Sequence, residues 1–241
     1  MLKAIFFDAA GTIFETREPA GHIYARIAAK HGLRADDAVV NDGFRHAFAT
    51  TPPFAFGTGH RPEALRRFER EWWSGVVRKS FEGLGEFDDF DRFFDELFAY
   101  FGDPGNWAPV PDAHPTLQRL KDMGLRLGVI SNFDYRLYRI LDGLDLRRYF
   151  DSITISSEAG FAKPSPLIFA AALEAVGVEP GEAAHVGDSE TMDFEGAQGA
   201  GLRAILIDGT LDDAESVDAS GSRIASLASL NKVMRLLGLT S

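Results

Sequence analysis

Short apolar runs alternate along most of the chain with longer stretches whose apolar residues recur every three or four positions. Residues 3–8, "RLGVIS" (126–131), "SITIS" (152–156), "AAHVGD" (183–188) and "RAILID" (203–208) read as buried strands. Segments 112–123, 134–143, 164–176, 190–200 and 226–237 carry helical spacing. Short β-rich runs alternating with helical patterns predict an α/β fold, a parallel sheet with helices on both faces. Several strands finish on a polar residue: Asp8, Ser131, Ser156 and Asp188. Ligands of open α/β sheets lie outside the carboxyl ends of the strands, so these endings mark the expected site.

Residues 16–107 break the alternation. No strand-like run is evident there, and the pattern is helical. "EFDDFDRFFDELFAYF" (86–101) places Phe87, Phe90, Phe94, Leu97, Phe98 and Phe101 on one stripe, expected to pack as core. Trp72, Trp73 and Trp107 fall inside this region or at its edge, and "TTPPFAFGTGHRP" (50–62) reads as a loop. The pattern predicts a helical insertion at 16–107, large enough for its own small core, between core segments 1–15 and 108–241. No repeat or low-complexity tract appears, and "LDDAESVDASGS" (211–222) reads as a polar surface connection.

Composition narrows the classes. A length of 241 residues fits one large domain or two modest ones, and 45% hydrophobic with 25% charged residues is ordinary for a globular protein. The absence of cysteine excludes disulfides, thiolate metal sites and a cysteine nucleophile. A net charge of −11 argues against a general nucleic-acid or anionic-membrane partner. An anionic substrate would therefore need a local cation, either a metal or a placed Lys or Arg. The lysines are Lys3, Lys30, Lys79, Lys121, Lys163 and Lys232. The apolar run at Ala4–Phe7 stops at a carboxylate, far short of a signal-peptide core. No segment approaches the ~18 apolar residues of a membrane span. The expectation is a soluble, cytoplasmic protein.

Four places carry candidate chemistry. Asp8, followed by Gly11 and Thr12, can be a nucleophile, a ligand for a hard cation or a turn cap. Ser131 in "VISNFD" can hold a phosphoryl oxygen with its hydroxyl and loop amides, or start a turn. Lys163 precedes the helical pattern that begins at Pro166, and is otherwise a solvated surface charge. In "HVGDSETMDFEGAQGAG" (185–201), Asp188 and Asp193 flank a strand-to-helix turn and suit Mg²⁺, which prefers oxygen ligands.

In order and spacing, Asp8-x-x-Gly11-Thr12, Ser131-Asn132, Lys163-Pro164 and Gly187-Asp188-x₄-Asp193-x₂-Gly-Ala resemble the motifs of the haloacid dehalogenase superfamily. The insertion directly after the first motif resembles that superfamily's C1-type cap, over a Rossmann-like core. "WW" at 72–73, "NW" at 106–107, "ISNFD" at 130–134 and "AAHVGD" at 183–188 resemble the rhythmically expressed gene 2-like, hydrolase domain-containing subgroup. The resemblance implies Asp8 as the nucleophile that accepts a phosphoryl group. Thr12, Ser131, Asn132 and Lys163 would contact the substrate, and Ser131 and Lys163 would assist the transfer. Mg²⁺ would be held by Asp8, the main-chain carbonyl of Ala10 and Asp188, with Asp193 in support.

Ala10 departs from the pattern, which has an aspartate there to protonate the leaving group and later activate water. Positioned acid–base groups contribute typically ~10²–10⁴-fold, so the expectation is a small-metabolite phosphatase that is slow or favours good leaving groups. The alternatives are an impaired protein that binds a phosphorylated ligand or partner, a phosphonatase and a dehalogenase. The phosphonatase would need a lysine well inside the insertion, where none occurs between Lys30 and Lys79. The dehalogenase would lack the acidic Gly187-Asp188 motif. His22, Arg45, His46, His60, Arg61 and Trp72 are the insertion residues expected to be able to reach a substrate.

Overall fold

The computed structural model describes residues 2–211 and 222–230. The first strand, β1 (Ala4–Phe7), is buried on both faces, which is why it reads as an unbroken apolar run. A short β2 (Phe14–Thr16) follows, and then four helices: α1 (Ala20–Lys30), α2 (Asp37–Thr50), α3 (Pro62–Ser80) and α4 (Phe90–Gly102). The chain returns through β3 (Trp107–Pro109), α5 (Ala113–Asp122), β4 (Arg126–Ser131), α6 (Arg136–Gly143) and β5 (Ser152–Ile155). It continues with the single turn α7 (Ser156–Ala159), α8 (Pro166–Val176) and β6 (Ala183–Gly187), and then the one-turn α9 (Gly196–Gly199), β7 (Arg203–Ile207) and β8 (Arg223–Ile224).

Six strands form one sheet in the order β5-β4-β1-β6-β7-β8, and every pairing is parallel. Side chains alternate across a strand, so Ile5 and Phe7 pack with Leu117, Leu120, Leu137 and Ile140 of α5 and α6. Ala4 and Phe6 pack with Ile168, Phe169 and Ala172 of α8 on the other face. The parallel sheet with helices on both faces, expected from the alternation, is present, and it is the Rossmann-like core that the family resemblance implies. Helix α8 starts on Ser165, which caps the Leu167 amide, with Pro166 at its first position, and it ends on Gly177 at φ +64°.

Helices α1–α4 bury a separate cluster that includes Ile23, Ile27, Val40, Val77, Phe81, Phe93, Phe94 and Leu97. Asp36 and Asp89 cap α2 and α4 through their side chains. The expected phenylalanine stripe omitted Phe93, which is fully buried against Phe81 and Phe87. This helix buries a wider face than one stripe because it packs inside the bundle as well as over the sheet's edge.

Several expectations change at element level. The edges of the insertion are not plain loops: β2 and β3 pair antiparallel, Phe14 with Pro109 and Thr16 with Trp107, so both junctions cross one ribbon. Three-residue strands are too short to show in periodicity. The predicted helix at 190–200 is a π-helical turn, Glu190–Glu195, followed by α9. In that turn Asp193 and Phe194 both donate to the Ser189 carbonyl, and the wide turn folds Asp193 back against Gly187, where a Cβ would overlap it. Helix α6 begins two residues late because Asp134 accepts from the Arg136 amide at 2.9 Å and caps the turn. β8 was not predicted at all. The predicted helix at 226–237 begins as a 3₁₀ turn, Leu227–Ser229, and its remainder lies outside the described residues. Most of the 211–222 connection lies outside them too.

Candidate active site

β1 is the central strand of the site, flanked by β4 and β6. Their carboxyl ends therefore bring Asp8, Ser131 and Asp188 to one edge of the sheet, where open α/β folds place ligands. The Asp8 amide donates to the Val186 carbonyl at 2.9 Å, extending the β1–β6 ladder and fixing the aspartate's position. Gly11, at φ +90°, turns the chain away; a Cβ there would lie 2.6 Å from Asp188 Oδ2. This loop can therefore pass over the carboxylates only because position 11 has no side chain.

Lys163 reaches the same point from the loop before α8. The residue is 4% exposed, and its ammonium lies 2.7 Å from Asp8 Oδ1 and 2.5 Å from Asp193 Oδ1. Asn132 positions it: the Asn132 amide donates to the Lys163 carbonyl at 3.0 Å and its oxygen accepts from the Lys163 amide at 2.8 Å. The Lys163–Pro164 peptide is cis. Asp193 also accepts from the Ser189 amide at 3.0 Å and lies 2.9 Å from His185 Nε2. Thr12, expected at the substrate, instead donates its hydroxyl to Asp188 Oδ1 at 3.0 Å and is itself buried. It positions a carboxylate. Asp8, Ala10, Ser131, Asn132, Lys163, Asp188 and Asp193 all line one cavity of about 580 Å³.

Three carboxylates face one ammonium here, and the charge imbalance shapes the titration. Burial works against the Lys163 charge, but Asp8 and Asp193 outweigh it and hold its pKa above the ordinary lysine value. Burial likewise opposes the Asp193 charge, yet Lys163 and His185 hold that carboxyl well below the usual range. Among the described residues, no cation pairs with Asp188. Burial, and then the charges of Asp8 and Asp193, push it up to about 6, while the Thr12 hydroxyl pulls it partly back. A cation placed among these groups would relieve that repulsion. One oxygen each from Asp8, Asp188 and Asp193 already lies within 4.8 Å of the others. The all-oxygen donor set fits a hard divalent ion such as Mg²⁺.

His185 escaped sequence reasoning. It sits in the middle of β6, buried, edge-on to Phe169 at 5.3 Å, and burial pushes its pKa down. A histidine inside an otherwise apolar strand was the available signal. The insertion residues expected near a substrate are elsewhere. His22 pairs with Asp37 at 2.8 Å, His60 contacts the Phe56 carbonyl, and Trp72 donates to the Pro52 carbonyl at 2.9 Å. None of His22, Arg45, His46, His60, Arg61 or Trp72 lines the cavity; Tyr24, Phe44, Phe48 and Trp73 do. Helical spacing alone could not say which face of α2 and α3 turns toward the sheet.

The family model for haloacid dehalogenase-like hydrolases matches residues 2–201. Haloacid dehalogenase-like hydrolase domain-containing protein 3 of Mus musculus is 35% identical over 215 residues, 87% of this chain and 83% of the relative. Glyceraldehyde 3-phosphate phosphatase of Methanopyrus kandleri is 37% identical over 116 residues, 48% of this chain and 47% of its own. Among solved structures, a HAD phosphatase from Thermococcus onnurineus matches with a TM-score of 0.65 at 26% identity, covering 97% of this chain and 98% of that one.

Proposed function

The chain belongs to the haloacid dehalogenase-like hydrolases, and from that premise we propose a Mg²⁺-dependent phosphatase that acts on a small phosphorylated substrate through an aspartyl phosphate at Asp8. One arrangement carries this reading: Asp8 opens into a cavity with Lys163 on one of its oxygens and two further carboxylates beside it. The phosphatase names of relatives and structural neighbours agree with it.

Asp8, Asp188 and the Ala10 carbonyl would hold Mg²⁺, with Asp193 in support. When bound, the ion supplies positive charge opposite the phosphoryl oxygens. Lys163 holds one Asp8 oxygen, orients the other and neutralises charge on the transferring group. Ser131, at the end of β4, offers its hydroxyl to the same oxygens. Asp193, His185 and Asn132 hold Lys163 in place. Helices α1–α4, as a cap over residues 16–107, roof the cavity and exclude water.

Position 10 presents only a methyl group, so no side chain there protonates the leaving oxygen. Positioning and electrostatic stabilisation carry most of phosphoryl transfer, which leaves substrates whose leaving group departs as a stable anion. The phosphonatase alternative wants a lysine on the cap's inner wall, but Lys30 pairs with Glu96 and Lys79 with Thr50, and neither lines the cavity. Asp188 and Asp193 beside Asp8 favour metal-assisted chemistry over dehalogenation. Ala10 also favours a second reading, a protein that binds a phosphorylated ligand with little turnover. Mg²⁺-dependent hydrolysis of acetyl phosphate and p-nitrophenyl phosphate, lost in Asp8→Asn, separates the two. Binding without turnover across a broad phosphate panel supports the second.

A further inference from the structure

The cavity has two chemically different ends. The sheet edge supplies Asp8, Ser131, Lys163 and Asp188, whereas the helical wall opposite is formed by Phe44, Phe48, Trp73, Phe94, Phe98 and Phe101 with aliphatic neighbours. The polar groups on that wall are largely engaged. The Trp73 indole donates to Asp134 at 2.7 Å. Arg136, the other cation lining the cavity, gives its guanidinium to both Asp134 oxygens at 2.8 and 2.6 Å and to the Phe98 carbonyl at 3.1 Å. The Tyr24 hydroxyl makes no hydrogen bond to another described residue, and burial keeps the phenol protonated; beside this wall, Glu15 and Thr16 of β2 also line the cavity. Against the aromatic wall the hydroxyls of a sugar phosphate would find few partners, and a second anionic group would meet the Glu15 carboxylate and, among the described lining residues, no unpaired cation.

Resting on the phosphatase reading, we infer that the substrate is an aryl phosphate, the phosphate monoester of an uncharged aromatic alcohol. Its rings lie among the cap phenylalanines and Trp73. The volume of about 580 Å³ accommodates a fused two-ring system, within the ~300–1,000 Å³ common for small-molecule sites. Ala10 agrees independently, since an aryl oxygen leaves as a phenolate without prior protonation. In the first step an Asp8 oxygen bonds to phosphorus while the phosphorus–aryl oxygen bond breaks, and the phenolate departs with that electron pair. In the second, water bonds to phosphorus and the aspartyl bond breaks. Ionised Asp8 and inorganic phosphate are regenerated, and the water's spare proton passes to the phenolate through solvent.

The test compares substrates of similar leaving-group acidity, with Mg²⁺. Naphthyl phosphate should exceed phenyl phosphate in kcat/KM by on the order of 10-fold, and a ring carboxylate on phenyl phosphate should lower it by about as much. Phe48→Ala should shrink the naphthyl preference, with Phe44→Leu as a second variant should the first misfold. Equal kcat/KM for all three aryl esters, with acetyl phosphate still hydrolysed, overturns this inference and leaves the phosphatase reading standing. No turnover of any phosphate, acetyl phosphate included, overturns the phosphatase reading instead. Tryptophan-fluorescence titration then decides the cavity's preference. Tighter binding of naphthylmethylphosphonate than of methylphosphonate by on the order of 10-fold supports an aryl-selective site, and equal binding rejects it.

Discussion

The Trp73 indole N–H donates to Asp134 Oδ2 across 2.7 Å, joining α3 to the loop that follows Ser131. Asp134 is fully buried and also ion-paired with Arg136, whose guanidinium reaches on to the Phe98 carbonyl and lies 3.7 Å over the Phe98 ring. One carboxylate therefore ties two helices of the roof to the floor of the site. Asp134→Ala leaves Arg136 buried without its counter-charge and should cost about 3–5 kcal/mol. Trp73→Phe removes one hydrogen bond and should cost only about 1–2 kcal/mol. Urea denaturation of both variants checks the order, and a larger loss for Trp73→Phe would contradict it.

A second junction of the same helix responds to pH. Glu69 on α3 is fully buried, and neither carboxyl oxygen has a hydrogen-bonding partner among the described residues. Burial pushes its pKa up to about 7, and the nearby Asp134 and Glu158 charges add to the shift; the Ser157 hydroxyl and the Tyr135 amide, close by but outside hydrogen-bonding geometry, pull it partly back. The folded value lies above that of an unfolded glutamate, ~4.3, so the folded state holds the proton more tightly. Stability is then fully present below about pH 4, declines as pH rises toward 7 and is lowest above it. Glu69→Gln should flatten this dependence and raise stability at pH 8 by up to roughly 3 kcal/mol. Thermal unfolding between pH 4 and 8 measures both effects.

Ala10→Asp should raise turnover of alkyl phosphate monoesters by ~10-fold or more, with a smaller gain for acetyl phosphate, whose leaving group needs no proton. Steady-state kinetics on the two substrate types gives the comparison. An unchanged or lower rate in a folded variant would show that proton transfer does not limit the reaction.

Charge balance in the site predicts metal-linked stability. EDTA-treated protein should gain thermal stability on adding Mg²⁺, by ~2.7 kcal/mol at a hundredfold excess over Kd, and beryllium fluoride should add more. Asp188→Asn should remove most of the Mg²⁺ response. Full activity in EDTA would exclude the Mg²⁺-dependent phosphatase and favour the dehalogenase alternative.

Lys163→Met should lower turnover by ~10²-fold or more and leave Asp8 and Asp193 facing each other without their shared cation. The variant's stability should therefore improve on acidification, as the buried Asp193 carboxyl, no longer held down by Lys163, takes up a proton. A pH-independent loss of stability would place the lysine's role in packing.

Most of the sheet was legible because a strand buried on both faces is apolar along most of its length, as β1, β4 and β6 are. Asp8, Ser131 and Asp188 were legible for a related reason: a polar residue that closes such a run falls at the sheet's edge. The π-helical turn around Asp193 was not legible, because it depends on the close contact with Gly187 rather than on any local propensity. Thr12's bond to Asp188 spans 176 positions and has no signature in spacing.

The sequence by itself determined the alternating architecture, the helical insertion, the motif that begins at Asp8 and the alanine at position 10, all of which are properties of local order and residue type. Tertiary structure alone decided that Lys163 stands between Asp8 and Asp193 and that no cation among the described residues pairs with Asp188. It also decided that the roof turns phenylalanine and Trp73, not His60 or Arg61, toward the site. Those outcomes depend on how amphipathic helices rotate and dock against the sheet, and that is fixed by packing between segments far apart in the chain.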